Sequence, residues 1–101
     1  MRYEFHPDAR QEFRESAAYH ESKRVNLGVA FTSEIESVLR HIVKAPERWP
    51  LIEEDVRRCL ARRFPYGVLY TIEPDYILIL AIMHCSRKPG YWRDRLRDQS
   101  A

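Results

Sequence analysis

The stretch Cys59–Trp92, CLARRFPYGVLYTIEPDYILILAIMHCSRKPGYW, decides how this chain folds. Two runs rich in β-branched and aromatic residues flank Glu73-Pro74-Asp75, where proline pre-sets one backbone angle and aspartate can close a turn on its own backbone. The two runs predict a hairpin. Its second half, Tyr76–Met83, is eight apolar or aromatic residues without a charge, the pattern of a strand covered on both faces. A central strand is expected there. Directly beyond it the chain changes to His84, Arg87, Lys88, Tyr91, Trp92, Arg93 and Arg95, so polar groups gather where a buried strand surfaces.

Upstream, Phe64-Pro65-Tyr66-Gly67 breaks the preceding run, and Val68–Ile72 resumes as a strand. Before the break, Val56–Phe64 reads as a strand with Val56, Arg58, Leu60, Arg62 and Phe64 on one side and Arg57, Cys59, Ala61 and Arg63 on the other. Arginines point both ways. The segment APERWP (residues 45–50) is a loop, because Pro46 cannot donate a helical hydrogen bond. Its Trp49 either pins the loop to the core edge or stands exposed for recognition.

The first half is helical. Phe31, Ile35, Val38 and Ile42 recur at i, i+4, i+7 and i+11, which predicts a helix over Leu27–Lys44 with Asn26 as its cap. Ala9, Phe13 and Ala17 follow the same periodicity, and Pro7 with Asp8 marks a helix start, so a first helix runs to about Ser22. Phe13 and Phe31 are expected in the core, and His20 as a partly buried residue satisfied by a neighbour. Arg2–Phe5 alternates as a short strand. The fold class is α+β: a helical hairpin packed on a small antiparallel sheet, in the order β-α-α-β-β-β, followed by a short C-terminal helix or tail.

At 101 residues the chain is expected to form one domain over 1–101, since a core this small cannot be divided. With 17 basic and 15 acidic residues the net charge is +2, too small to pull the chain onto nucleic acid by bulk electrostatics. Yet acids crowd the first 55 positions, whereas Arg57, Arg58, Arg62, Arg63, Arg87, Lys88, Arg93, Arg95 and Arg97 fill the second half, so one face should be basic. Neither a secretory h-region nor an apolar run of roughly 20 residues is present, which predicts a cytoplasmic protein without membrane contact. Cys59 and Cys85 are too few for a metal cage and read as buried thiols on strands. No metal and no cofactor is expected.

HPDARQEF, AAYHESKR, LGVAF, APERWP, RRFPYGVLY and HCSRKPGYWRDR, in that order over nearly the whole chain, resemble the RelE/ParE superfamily of toxins from bacterial type II toxin-antitoxin modules. The resemblance implies the same fold and a growth-arresting toxin neutralised by a small antitoxin encoded beside it. It also implies one of two targets: DNA gyrase for ParE-like members, or messenger RNA in the ribosome for RelE-like endoribonucleases. A nuclease needs a proton acceptor for the 2′-hydroxyl, cations for the phosphate and an acid for the leaving oxygen. Arg62, Arg87 and Tyr91, with His84 as proton carrier, would supply them. The lysine-rich strand of many ribosome-dependent members is missing. The ending His84, Arg87, Trp92 looks ParE-like, which makes Arg87, Tyr91, Trp92 and Arg93 a contact surface for a protein target. The antitoxin is expected on a groove bordered by Arg57, Arg58, Arg62 and Arg63. Sequence-specific DNA binding by the toxin itself is not expected. The plainer reading of these residues is that His84 caps its strand, Arg57 and Arg58 pair with Glu53–Asp55, and Tyr91 with Trp92 closes the core rim.

Overall fold

His6 and Pro7 convert the first strand into the first helix. Pro7 takes the position where a missing N–H costs nothing, and the His6 imidazole accepts the Asp8 amide at 3.0 Å. In the computed structural model, which describes residues 1–100, β1 (Arg2–Phe5) therefore leads directly into α1 (Pro7–Lys23). The second helix, α2 (Leu27–Lys44), has the bounds its periodicity predicts. Its cap does not come from Asn26, which lies in the left-handed region at φ 70° and makes no side-chain cap bond. Glu21 of α1 takes that role, accepting the amides of Asn26 at 3.0 Å and Gly28 at 2.9 Å. A Cβ on Gly28 would stand 2.6 Å from the Ala17 carbonyl oxygen, so the closeness of the two helices depends on glycine there.

The sheet has five strands: β1, β2 (Leu51–Glu53), β3 (Val56–Leu60), β4 (Tyr66–Ile72) and β5 (Tyr76–His84). Their order is β1-β5-β4-β3-β2, and the sheet is mixed, because β1 runs parallel to β5 while the other pairs are antiparallel. A parallel neighbour needs a long crossover, and here everything from α1 to β4 supplies it. The three-residue β2 carries no periodicity of its own and forms only because Glu54, at φ 40°, folds it back on β3. The predicted strand over 56–64 stops at Leu60. Beyond it the Glu34 carboxylate of α2 draws in the amides of Arg62 and Arg63 and turns the chain.

Both faces of the sheet are buried. On one, Phe31, Ile35, Val38, Leu39 and Ile42 of α2 pack on Cys59, Val68, Tyr70, Ile77, Ile79 and Ile82. On the other, Val56, Leu69, Leu78, Leu80, Ala81 and Met83 pack with Trp92, edged by Tyr76, Tyr91 and Leu96. A bulge in β5 links the two. Leu69 faces Ala81 and Tyr70 faces Ile79, which leaves Leu80 unpaired and reverses the alternation, so that Ile82 faces the helices. The arm after β5 returns across the face that lacks helices and ends as a 3-10 helix, Arg93–Ser100.

Trp49 packs against the helix-side core, its indole N–H unpartnered. Arg57 fixes the Trp49 loop by donating to the carbonyls of Glu47 and Trp49 at 3.1 and 2.7 Å, and so does not pair with Glu53–Asp55. Cys59 is buried, with its thiol pushed up to about 11, whereas Cys85 is exposed in a turn, against the expectation of two buried strand thiols. No helix among the described residues is long and apolar enough to cross a membrane.

Candidate functional site: an arginine-lined cleft under the C-terminal arm

β1 pairs with β5 only as far as Ile79, so the next backbone groups of β5 lack a strand partner on that side. Two side chains replace it. Glu12 of α1 accepts the Ile82 amide at 2.9 Å, and Arg95 donates to the Leu80 carbonyl at 3.0 Å. The same two side chains bond each other through both guanidinium nitrogens, at 2.9 and 2.7 Å, with only 13 % and 12 % of their side-chain surface exposed. A bidentate pair in a half-dry position is among the stronger polar contacts a protein makes. Glu12 also accepts the Tyr91 hydroxyl at 2.6 Å. Burial, and then that bond, hold the Tyr91 phenol well above its ordinary value. Glu12 thus ties α1, the bulged edge of β5 and the arm into one unit.

The arm roofs a cleft of about 320 Å³ whose lining includes Ile52, Glu53, Arg58, Met83, Arg87, Trp92 and Arg93. Arg93 donates to Glu53 at 2.6 Å, and that bond holds the Glu53 carboxyl below its ordinary value. Arg87 stacks on the Tyr91 ring with its guanidinium carbon 4.0 Å from the centroid. Arg58 lies over Gly67, where a Cβ would come within 3.1 Å of its chain. Among the described residues neither Arg58 nor Arg87 has an acidic partner.

A second cleft, of about 380 Å³, runs between α2 and β3 past Glu34, Val38, His41, Trp49, Leu60 and Arg62. Leu60 is 52 % exposed at its side. Glu34 is held below the usual carboxylate range, first by the Arg63 amide and then by the Arg62 amide and both guanidiniums, against an opposing desolvation.

The sequence-predicted residues are spread among these places. Arg62 lines the α2 cleft, Arg87 lines the cleft under the arm and stacks on Tyr91 of the arm itself, and His84 stands 5.0 Å from the Tyr66 ring on the helix side. His84 accepts the Ser86 amide at 3.0 Å, a local cap of the strand end. Arg87 and Tyr91 are brought together, and Arg62 lines the other cleft. Trp92, expected as a contact residue, is 2 % exposed and belongs to the core of the face that lacks helices. Of the four arginines expected to border one groove, Arg57 is spent on the Trp49 loop, Arg58 lies on the opposite face, Arg62 lines the α2 cleft and Arg63 sits 3.9 Å from Glu34. His20 lies between Phe31, Phe64 and Tyr66 at 4.9, 5.1 and 5.7 Å, and its Nε2 is buried without the partner expected for it. Sequence reasoning missed Glu12 and Glu53, whose roles are set by residues 83 and 40 positions away.

The description "ParE toxin of type II toxin-antitoxin system, parDE" belongs to a family whose model matches residues 3–89. Among solved structures, the chromosomal ParDE toxin-antitoxin system from P. aeruginosa contains a similar chain, with a TM-score of 0.72 over 83 % of this chain and 95 % of that one. At 13 % identity that likeness concerns the fold. No curated protein matches the sequence significantly. With most of its length matched by the family, this chain belongs to the ParE toxins of type II toxin-antitoxin systems.

Proposed function

We propose that this chain arrests growth by gripping a protein target, DNA gyrase, through the cleft under its C-terminal arm, and that a cognate antitoxin neutralises it by direct binding. The observation that carries this reading is the dispersal of the residues a ribonuclease would need. Tyr91 spends its proton on Glu12, and Arg62 lines a different cleft. General acid-base chemistry on a phosphodiester requires its groups within hydrogen-bond reach of one substrate. Protein recognition has no such requirement and favours what the cleft offers, arginines around an apolar floor.

The antitoxin is assigned to the helix side. The α2 cleft combines Val38, Trp49 and exposed Leu60 with Arg62, and β2 leaves a sheet edge open beside exposed Leu51. An acidic amphipathic segment could lay a helix in the cleft or a strand on the edge. The toxin would work in the cytoplasm with its target.

Supercoiling by purified gyrase, run beside primer extension on translated messenger RNA, tests the proposal. Dose-dependent loss of supercoiling without new cuts is the expected result. New cuts within codons in the ribosome would replace it with the endoribonuclease reading, and neither effect would mean a chain without toxicity.

A further inference from the structure

We infer that the cleft under the arm recognises an acidic segment of a protein partner, and that Glu53 occupies part of the site until such a segment displaces it. The inference rests on reading this cleft as the contact surface for a protein target, and it names the chemistry that surface selects.

Three guanidiniums, of Arg58, Arg87 and Arg93, line one cavity together with Ile52, Met83 and Trp92. Like charges gathered in one cleft repel one another, so a cluster of this kind normally brings its own counter-ions. Here it brings only one. Glu53 takes Arg93 at 2.6 Å, while Arg58 and Arg87 keep no acidic partner among the described residues. Arg87 is not loose, since its guanidinium is stacked 4.0 Å from the Tyr91 centroid and Tyr91 is in turn bonded to Glu12. A guanidinium ordered in advance and left unpaired is poised for an incoming anion.

The anion is a carboxylate by two observations. The counter-ion already seated on Arg93 is a carboxylate. The remaining lining, Ile52, Met83, Cys85, Pro89, Gly90 and Trp92, carries no charge, which suits apolar side chains between acidic ones better than the sugar-phosphate repeat of a nucleic acid. The cavity of about 320 Å³ accepts a few side chains and not a folded element. Glu53 lies on three-residue β2, an edge strand, and its side chain is 34 % exposed, so an outside carboxylate can compete with it for Arg93.

Fluorescence anisotropy of the full chain with a labelled peptide of alternating glutamate and leucine tests this directly. A peptide with glutamine for glutamate and a labelled oligouridylate serve as controls. The glutamate peptide is expected to bind, the double variant R58A/R87A to weaken it by roughly tenfold, and E53Q to tighten it by about threefold, the span of an exposed ion pair. Because E53Q gains affinity, misfolding cannot mimic its result. Equal binding of the glutamate and glutamine peptides, unchanged affinity in R58A/R87A, weaker binding by E53Q, or preference for the oligouridylate would each overturn the inference. Gyrase inhibition without peptide binding removes the inference and leaves the proposed function standing. Peptide binding without gyrase inhibition does the reverse.

Discussion

Phe31 and Trp92 lie on opposite faces of one sheet and are almost equally buried, at 0 % and 2 % exposure, yet they are held there by different means. Phe31 belongs to an amphipathic helix whose periodicity places five apolar residues on the sheet at once. Trp92 belongs to a short arm held by two carboxylates, Glu12, which binds Tyr91 and Arg95, and Glu53, which binds Arg93. The helix face is a stability surface made redundantly. The arm face is made by a few singular contacts, and it carries the unpaired arginines. A fold can thus keep its scaffold and its recognition surface on two sides of the same strands.

The sharpest break between the faces is expected in the core. Phe31→Ala should cost about 4 kcal/mol in urea unfolding, the range for buried aromatic truncation. Trp92→Ala should cost about 3 kcal/mol by the same measure. A cost for Trp92→Ala below about 1 kcal/mol would mean that the arm does not seal its face. Next in size is Glu12→Ala, expected to cost about 2 kcal/mol by leaving Arg95 and the Ile82 amide without their partner. Hydrogen exchange should show this as faster exchange at Ile82 with Phe31 and its neighbours unaffected.

A smaller effect belongs to the helix side. His20 has its pKa lowered from 6.5, first by burial and second by the charge of His84. The unfolded chain therefore binds the proton more readily than the folded one, so the stability His20 contributes is complete above pH 6.5 and declines as pH falls below it. Melting temperatures taken on the two sides of that value should show the decline, and His20→Phe, which keeps the aromatic packing, should flatten it. A slope unaltered in His20→Phe would assign the titration elsewhere. Smallest for stability is Arg58→Ala with Arg87→Ala, expected to change unfolding by less than about 0.5 kcal/mol, because among the described residues neither side chain has a hydrogen-bonded partner to lose.

The same contrast explains what was legible in the sequence. Leu27–Lys44 and Tyr76–His84 announce themselves, one by spacing and one by an unbroken apolar run, because each buries its residues by local pattern. The parallel seat of β1, the short β2 and the bulge at Leu80 are decided by neighbours far away in the chain, and no local pattern records them. The arginines of the second half read correctly as basic but not by location, since one turn pinned by Glu34 sends Arg62 to the α2 cleft while Arg58 stays under the arm. Trp92 reads as a contact residue from the ParE-like ending and from the weight tryptophan carries at interfaces, but the same side chain serves equally well to close a core. The family match stops at residue 89, short of Tyr91, Trp92 and Arg95.

One measurement bears most directly on the division between a structural face and a gripping face: inhibition of gyrase supercoiling by the wild-type chain and by R58A/R87A at matched concentrations, with urea unfolding of both. The account predicts that the wild type inhibits, that the double variant loses inhibition by roughly tenfold or more, and that their unfolding curves coincide. Full inhibition by a normally folded R58A/R87A would contradict it.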